Sequence, residues 1–253
     1  MSTINYWPQN ICAKAYWSQH ELPTYQELLR DTREWLEPQS GQTWLDLGCG
    51  GGQLTRALWE RTAGTITQVV AMDCAPLNEK AYSQLRQELR PTPRPGQIEF
   101  WAADFATGLP RYPNDTFHGV VSGLSIQYAD SYDSQSNRWT TEAYDNTLSQ
   151  IFRILRPGGT FVFSVNVPNP SWSRVGWESF TAIFRTDDPV RFLVDGFRMW
   201  KFGTWVKQEA ARGRFHYLPI QTISGKLSHF GFVEAEHRLT YAEQAYLIRC
   251  RKP

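Results

Sequence analysis

Apolar positions along the chain fall into two alternating patterns, short continuous runs and longer stretches spaced three and four residues apart. Tyr25, Leu28, Leu29, Thr32, Trp35 and Leu36 follow the second spacing and predict a helix ending at Pro38. Thr43 to Leu47 is then a strand, followed by a helix through Leu54, Ala57 and Leu58. Val69 to Met72 predicts a second strand, Leu77, Ala81, Leu85 and Leu89 a second crossover helix, and Ile98 to Ala103 and Phe117 to Gly123 two further strands. A polar loop at 129–137 leads into a helix through Leu148, Ile151, Phe152 and Leu155, stopped by Arg156-Pro157-Gly158-Gly159, and a fifth strand spans Thr160 to Val165. Near the C-terminus a helix through Ile223, Leu227 and Phe230 precedes the runs Phe232 to Glu236 and Ala245 to Ile248, which read as an antiparallel pair. Strands alternating with amphipathic helices predict an α/β fold with a mostly parallel sheet.

About fifty residues, 168–218, separate the fifth strand from the next helix, far more than an α/β connection needs. This stretch is expected to be a helical insertion. It is dense in aromatics, among them Trp172, Trp177, Trp200, Trp205, Phe215 and Tyr217, which suit either the core of a small cap or an apolar acceptor pocket. Its excess of basic over acidic residues reads as a solvated face. Tyr6-Trp7 and Tyr16-Trp17 suit either a lid over a ligand or packing against the sheet.

Composition narrows the class. Apolar residues make up 41% and charged residues 20% of 253 residues, and 26 basic against 25 acidic residues leave a net charge of +1. A single globular domain over 1–253 is expected, and no global field gathers nucleic acid or an anionic membrane. The first residues have neither a basic nor a continuous apolar region of a secretion signal, and no apolar run approaches the ~18 residues of a membrane span. A cytoplasmic location is the expectation. Cys12, Cys49, Cys74 and Cys250 are far apart, with no spacing that suggests a zinc site.

The chemistry concentrates in Asp46-Leu47-Gly48-Cys49-Gly50-Gly51-Gly52, where a strand hands over to a helix. Four glycines in five positions exceed what a tight turn requires and allow close backbone approach to a ligand at the helix N-terminus. A dinucleotide loop needs a third glycine where Gln53 stands, and Asp46 at the strand end would repel a pyrophosphate while attracting an ammonium group. No Lys-Ser or Lys-Thr pair follows the glycines, so a phosphate-binding P-loop is excluded. A cationic nucleoside fits these residues best.

The segment resembles the first motif, D-x-G-x-G-x-G, of class I S-adenosylmethionine-dependent methyltransferases. Ile154-Leu155-Arg156-Pro157-Gly158-Gly159 is similar to that family's turn before strand five. The resemblance implies a Rossmann-like, mostly parallel seven-stranded sheet with helices on both faces, an antiparallel last strand, an N-terminal helical lid over 1–40 and a substrate cap over 168–218. It implies S-adenosyl-L-methionine as cofactor, with Asp46, Gly48, Cys49, Gly50 and Gly52 in the loop, Asp73 and Cys74 beside the ribose, Asp104 and Phe105 beside the adenine, and Ser122 lining the site. Singly, Asp46 also suits a helix cap, Asp73 a strand end and Asp104 an Asx-turn. At the ends of three consecutive parallel strands they point together to a nucleoside site.

The activated sulfonium needs alignment and exclusion of water more than a catalytic triad. By the same resemblance the acceptor lies beyond strand four, beside Gln127 and Tyr128, and under the insertion, with Trp200 among its contacts. His216 is the one histidine nominated as a base, and His118 is read as structural. The expected function is methyl transfer to a small, partly apolar or aromatic organic molecule. A non-catalytic cofactor-binding partner and a methyltransferase of RNA or protein are the alternatives, and no nucleic acid, membrane span or metal is expected.

Overall fold

The computed structural model describes residues 22–179 and 202–253. Trp200 and the tyrosine-tryptophan pairs near the N-terminus lie outside the described residues. Helix α1 (Pro23–Trp35) precedes β1 (Thr43–Leu47), α2 (Gln53–Arg61), β2 (Gln68–Asp73), α3 (Asn78–Glu88), β3 (Ile98–Ala102) and β4 (Phe117–Gly123). Two short strands, β5 (Ser131–Asp133) and β6 (Arg138–Thr140), come before α4 (Glu142–Ile154) and β7 (Leu155–Asn166). Helices α5 (Trp172–Ser179) and α6 (residues 202–211) precede α7 (Ile220–His229), β8 (Val233–Thr240) and β9 (Ala245–Arg251).

Seven strands form one sheet in the order β3-β2-β1-β4-β7-β9-β8. The first five run parallel, and β9 is antiparallel to both β7 and β8. Side chains alternate between two buried faces, as the pleat requires. Leu45, Leu47, Val70, Met72, Phe161 and Phe163 meet α4 and α7 through Leu148, Ile151, Ile223 and Leu227. On the other face Trp44, Val69, Ala71, Val121 and Val162 meet α2 and α3 through Leu58, Trp59, Tyr82 and Leu85. Because β1 is flanked by β2 and β4, the chain reverses its winding direction between β1 and β4, and a crevice opens there at the carboxyl ends of the strands.

Three local features differ from the reading of the sequence. The polar loop holds the β5–β6 hairpin, pinned by Tyr132 opposite Trp139 with ring centroids 5.0 Å apart. Three-residue strands of mostly polar composition carry no hydrophobic run to mark them. Arg156-Pro157-Gly158-Gly159 lies within β7, because Leu155 already pairs with Phe117 and the ladder resumes at Thr160 opposite Gly119. The excess residues bulge outward, Gly158 adopting φ +76°, and are held by hydrogen bonds between Gly158 N–H and Lys252 O and between Lys252 N–H and Gly159 O. Strand β8 is mostly exposed and polar, its charges paired across to β9 as in Arg249–Glu236, so it runs past the apolar stretch that announced it.

Gly119 is the register partner of Trp44, and the indole fills the space a side chain there would take. A Cβ at Gly119 would lie 2.5 Å from three ring carbons of Trp44, which is itself 2% exposed. Gly119→Ala is expected to lower stability by about 1–3 kcal/mol through overpacking. Equilibrium urea unfolding, comparing midpoints at unchanged slope, measures this.

Candidate functional site

The loop after β1 is shaped by its glycines. Gly48, Gly50 and Gly52 have φ of +70°, +50° and +85°, in the left-handed region that side chains disfavour. Gly48 and Cys49 both donate their N–H to Met72 O, at 2.8 and 3.1 Å, so the chain turns over the end of β2, and Gly52 caps α2. A Cβ on Gly48 would stand 2.3 Å from Ser125 Cβ, and one on Gly52 would stand 2.7 Å from Leu85. At Gly50 and Gly51 nothing lies within 4 Å. The outer two glycines of the motif are thus required by protein packing. The middle pair leave an open concave face of backbone at the head of α2.

Three carboxylates surround that face in different states. Asp73 accepts the Gly50 N–H through Oδ2 and the Ala75 N–H through Oδ1, both at 2.9 Å, tying the glycine loop to the turn after β2. Burial raises its pKa, opposed by these backbone hydrogen bonds. Asp104 accepts the Ala106 N–H at 2.9 Å and opens the single turn Phe105–Thr107, so the Asx-turn is realised. Phe105 packs beneath Gly48, its ring 3.4 Å from where a Cβ would stand.

Asp46 is fully buried on the α2–α3 face of the sheet. Its Oδ2 accepts from the Thr55 hydroxyl at 2.7 Å, and that hydroxyl lies 2.8 Å from Tyr82 Oη. Its Oδ1 is buried with no hydrogen-bond partner among the described residues. Asp46 therefore does not cap α2. Burial, with a smaller contribution from the charge of Asp73, pushes its carboxyl up to about 7 against the hydrogen bonds from Thr55 and Tyr82.

Cys49 is buried and Cys74 half-buried, and burial raises both thiols, so neither is a nucleophile at neutral pH. Ser122 is fully buried, and its hydroxyl donates to Leu47 O at 2.8 Å, joining β4 to β1. Its side chain is spent within the sheet and does not line the crevice. Among the described residues no group of three or more His, Cys, Asp and Glu side chains could hold a metal, and no helix is long and apolar enough to cross a membrane.

The loop after β4 adjoins the glycine loop directly, since Ser125 donates to Gly48 O at 2.9 Å. Gln127 is buried, and its Oε1 accepts from the backbone N–H of Asn166 at the end of β7. The Tyr128 hydroxyl lies 3.2 Å from that of Tyr217, and its ring meets Phe215 edge-on at 5.0 Å. His216 is 3% exposed, with Nε2 3.0 Å from Ala129 O, and burial lowers its pKa. The neutral ring donates to that carbonyl and anchors the returning chain, a structural post where a base was expected. His118 is structural as read, accepting the Thr43 N–H at 3.1 Å.

Sequence reasoning placed Arg214 on a solvated face and missed its role: it is 11% exposed, bridges Asp130 at 2.6 Å and Glu209 at 3.3 Å, and stacks over Trp139 at 5.0 Å. It clamps α6 and the segment after it to the β5–β6 hairpin and the loop after β4. Thr55 and Tyr82 were also missed. Their only signal is a hydrogen-bonding group at the sheet-facing position of an amphipathic helix.

Residues 45–163 match the family model described as a methyltransferase domain. That match covers just under half of the chain and takes in both the glycine loop and the loop after β4. The chain is 30% identical over 128 residues to trans-aconitate 2-methyltransferase of Streptomyces avermitilis, covering 50% of this chain and 40% of that protein. It is 29% identical over 175 residues to 2-phytyl-1,4-naphtoquinone methyltransferase of Thermosynechococcus vestitus, covering 68% and 59%. The chain spans about half the length of these curated relatives. The fold is similar to that of N-methyltransferase NodS from Bradyrhizobium japonicum in complex with S-adenosyl-L-homocysteine, at TM-score 0.55 and 16% identity over 95% or less of each chain, namely 94% and 91%.

The cofactor that this similarity implies is S-adenosylmethionine, and the residues around the glycine loop fit it. The orphaned Oδ1 of Asp46 suits a cationic donor, and the bare backbone at Gly50 and Gly51 admits a ligand that a Cβ would obstruct. The Asp46 pKa gives a test. Raised from 3.8 to about 7, it makes the protonated carboxyl favour folding, a contribution complete below about pH 4 and lost as pH rises through about 7. Asp46→Asn, neutral at every pH, is expected to hold its stability better across that window, by on the order of a few kcal/mol, in urea titrations at a series of pH values. Affinity for S-adenosyl-L-homocysteine should run the opposite way in the native protein, tightening from pH 5 to 7 as Asp46 ionises, with a shallower slope in Asp46→Asn.

Proposed function

We propose that the protein transfers the methyl group of S-adenosylmethionine to a small organic acceptor with apolar or aromatic bulk. The observation that carries this reading is the set Asp46, Asp73 and Asp104 at the heads of three adjacent parallel strands, around a glycine loop open at its centre. In it the Asp46 carboxylate faces the cofactor's cationic end, Asp73 accepts from ribose hydroxyls with the lone pairs that Gly50 and Ala75 leave free, and Asp104 lies beside the adenine. The bound cofactor supplies an activated methyl group on a sulfonium. The chain's own residues align the acceptor and keep out water.

The acceptor side is supported by the aromatic cluster of Tyr128, Phe215, Tyr217, Phe202 and Trp205, which joins the loop after β4 to the returning cap. The names of the similar trans-aconitate and naphthoquinone methyltransferases agree with a small-molecule acceptor. No proton transfer is assigned to His216, whose ring N–H is engaged by Ala129 O.

Calorimetric titration of S-adenosyl-L-homocysteine should give micromolar or tighter binding, and its absence would overturn the reading. Asp73→Ala is expected to weaken that binding by ~1–3 kcal/mol through unpaired ribose hydroxyls. Incubation with methyl-labelled cofactor and a protein-free, nuclease-treated metabolite fraction should label a small molecule. Label found only in protein or RNA would redirect the acceptor class.

A further inference from the structure

Two buried polar atoms in the aromatic cluster have no hydrogen-bond partner among the described residues, and they are of opposite sense. Asn166 ends β7 and is 2% exposed. Its side chain hydrogen-bonds to the Tyr217 hydroxyl, and its Oδ1, a hydrogen-bond acceptor, is left unpaired. Trp172 opens α5 and packs against two clusters, one of Leu28, Val175, Tyr241 and Ala245 and the other of Val206, Phe215 and Tyr217. Gly203 lets α6 close on it, since a Cβ there would stand 3.2 Å from the indole. Its Nε1–H, a donor, is equally unpaired. A buried donor and a buried acceptor left open in one cluster each cost stability, and both are relieved by a ligand of matching polarity.

We propose that Asn166 and Trp172 read the acceptor, and that it is a neutral ring compound carrying hydroxyl groups, which donate to Asn166 Oδ1 and accept from Trp172 Nε1–H. This rests on the methyltransferase reading above and names the substrate class of that site. Only an amphiprotic group such as a hydroxyl answers both atoms. A carboxylate would accept from Trp172 but be repelled by Asn166 Oδ1, an ammonium could serve only Asn166, and a bare hydrocarbon serves neither. The surroundings agree, because burial keeps the phenols of Tyr128 and Tyr217 protonated and Arg214 is already held by Asp130 and Glu209.

The test uses the full chain saturated with S-adenosyl-L-homocysteine and three probes of one shape, 2-naphthol, naphthalene and 2-naphthoate, titrated by tryptophan fluorescence and ligand-observed NMR. The expected result is 2-naphthol binding at least ~10-fold tighter than either of the others, since a site built to hydrogen-bond a hydroxyl rejects analogues without it. Asn166→Leu and Trp172→Phe should each erase that preference while leaving the affinities for naphthalene and S-adenosyl-L-homocysteine unchanged. If Asn166→Leu fails to fold, Trp172→Phe, which keeps an aromatic ring, decides alone. Equal affinity for naphthalene and 2-naphthol, tightest binding of 2-naphthoate, no binding of any probe, or equal loss of all probes in the variants would each overturn the proposal. A native chain that does not bind S-adenosyl-L-homocysteine at all fails the methyltransferase reading itself, which the same titration series records separately.

Discussion

The contact between Gly48 and Ser125 is the constraint on which the rest of the site depends. The loops after β1 and β4 meet where the sheet reverses its winding, and they come so close that no Cβ fits at Gly48. The Ser125 hydroxyl bonds the Gly48 carbonyl, while Ser122, three residues earlier, bonds the Leu47 carbonyl. Two adjacent peptide carbonyls at the end of β1 are therefore fixed by β4 and its loop. The glycine loop and the loop that leads to the aromatic cluster are set relative to one another by backbone-length contacts, with little freedom to drift.

Electrostatics follow from this packing. A glycine loop drawn down onto β2 and β4 leaves Asp46 beneath it, out of water, with one oxygen satisfied by Thr55 and the other by nothing in the described chain. Asp73 sits nearer the rim and accepts a backbone N–H with each oxygen, which ties the glycine loop to the turn after β2. The two carboxylates thus divide the labour, one shaping the loop and the other storing an unmet demand for positive charge. The negative charge Asp46 carries once ionised would repel a pyrophosphate placed in this crevice.

The sheet was legible in the sequence because each central strand is buried on both faces and appears as a short apolar run, as at Val69 to Met72 and Phe117 to Gly123. The β5–β6 hairpin and the far end of β8 were not, because their residues are polar and their pairing is set by partners distant in sequence. The glycine loop and its three aspartates were legible because backbone conformation and charge at a strand end are local properties. Ser122, His216 and Arg214 were not, since a hydroxyl, an imidazole or a guanidinium has the same appearance in a string whether it faces a ligand, a carbonyl or a counter-ion. Only burial and partner geometry separate these roles.

The Arg214 clamp carries a consequence for how such a protein diversifies. Since it fastens α6 and the end of the insertion to the hairpin and the loop after β4, the aromatic cluster travels with the sheet. Replacement of aromatic residues in the cluster can then reshape it without disturbing the glycine loop. The two ends of the crevice are thereby free to change independently on one shared frame.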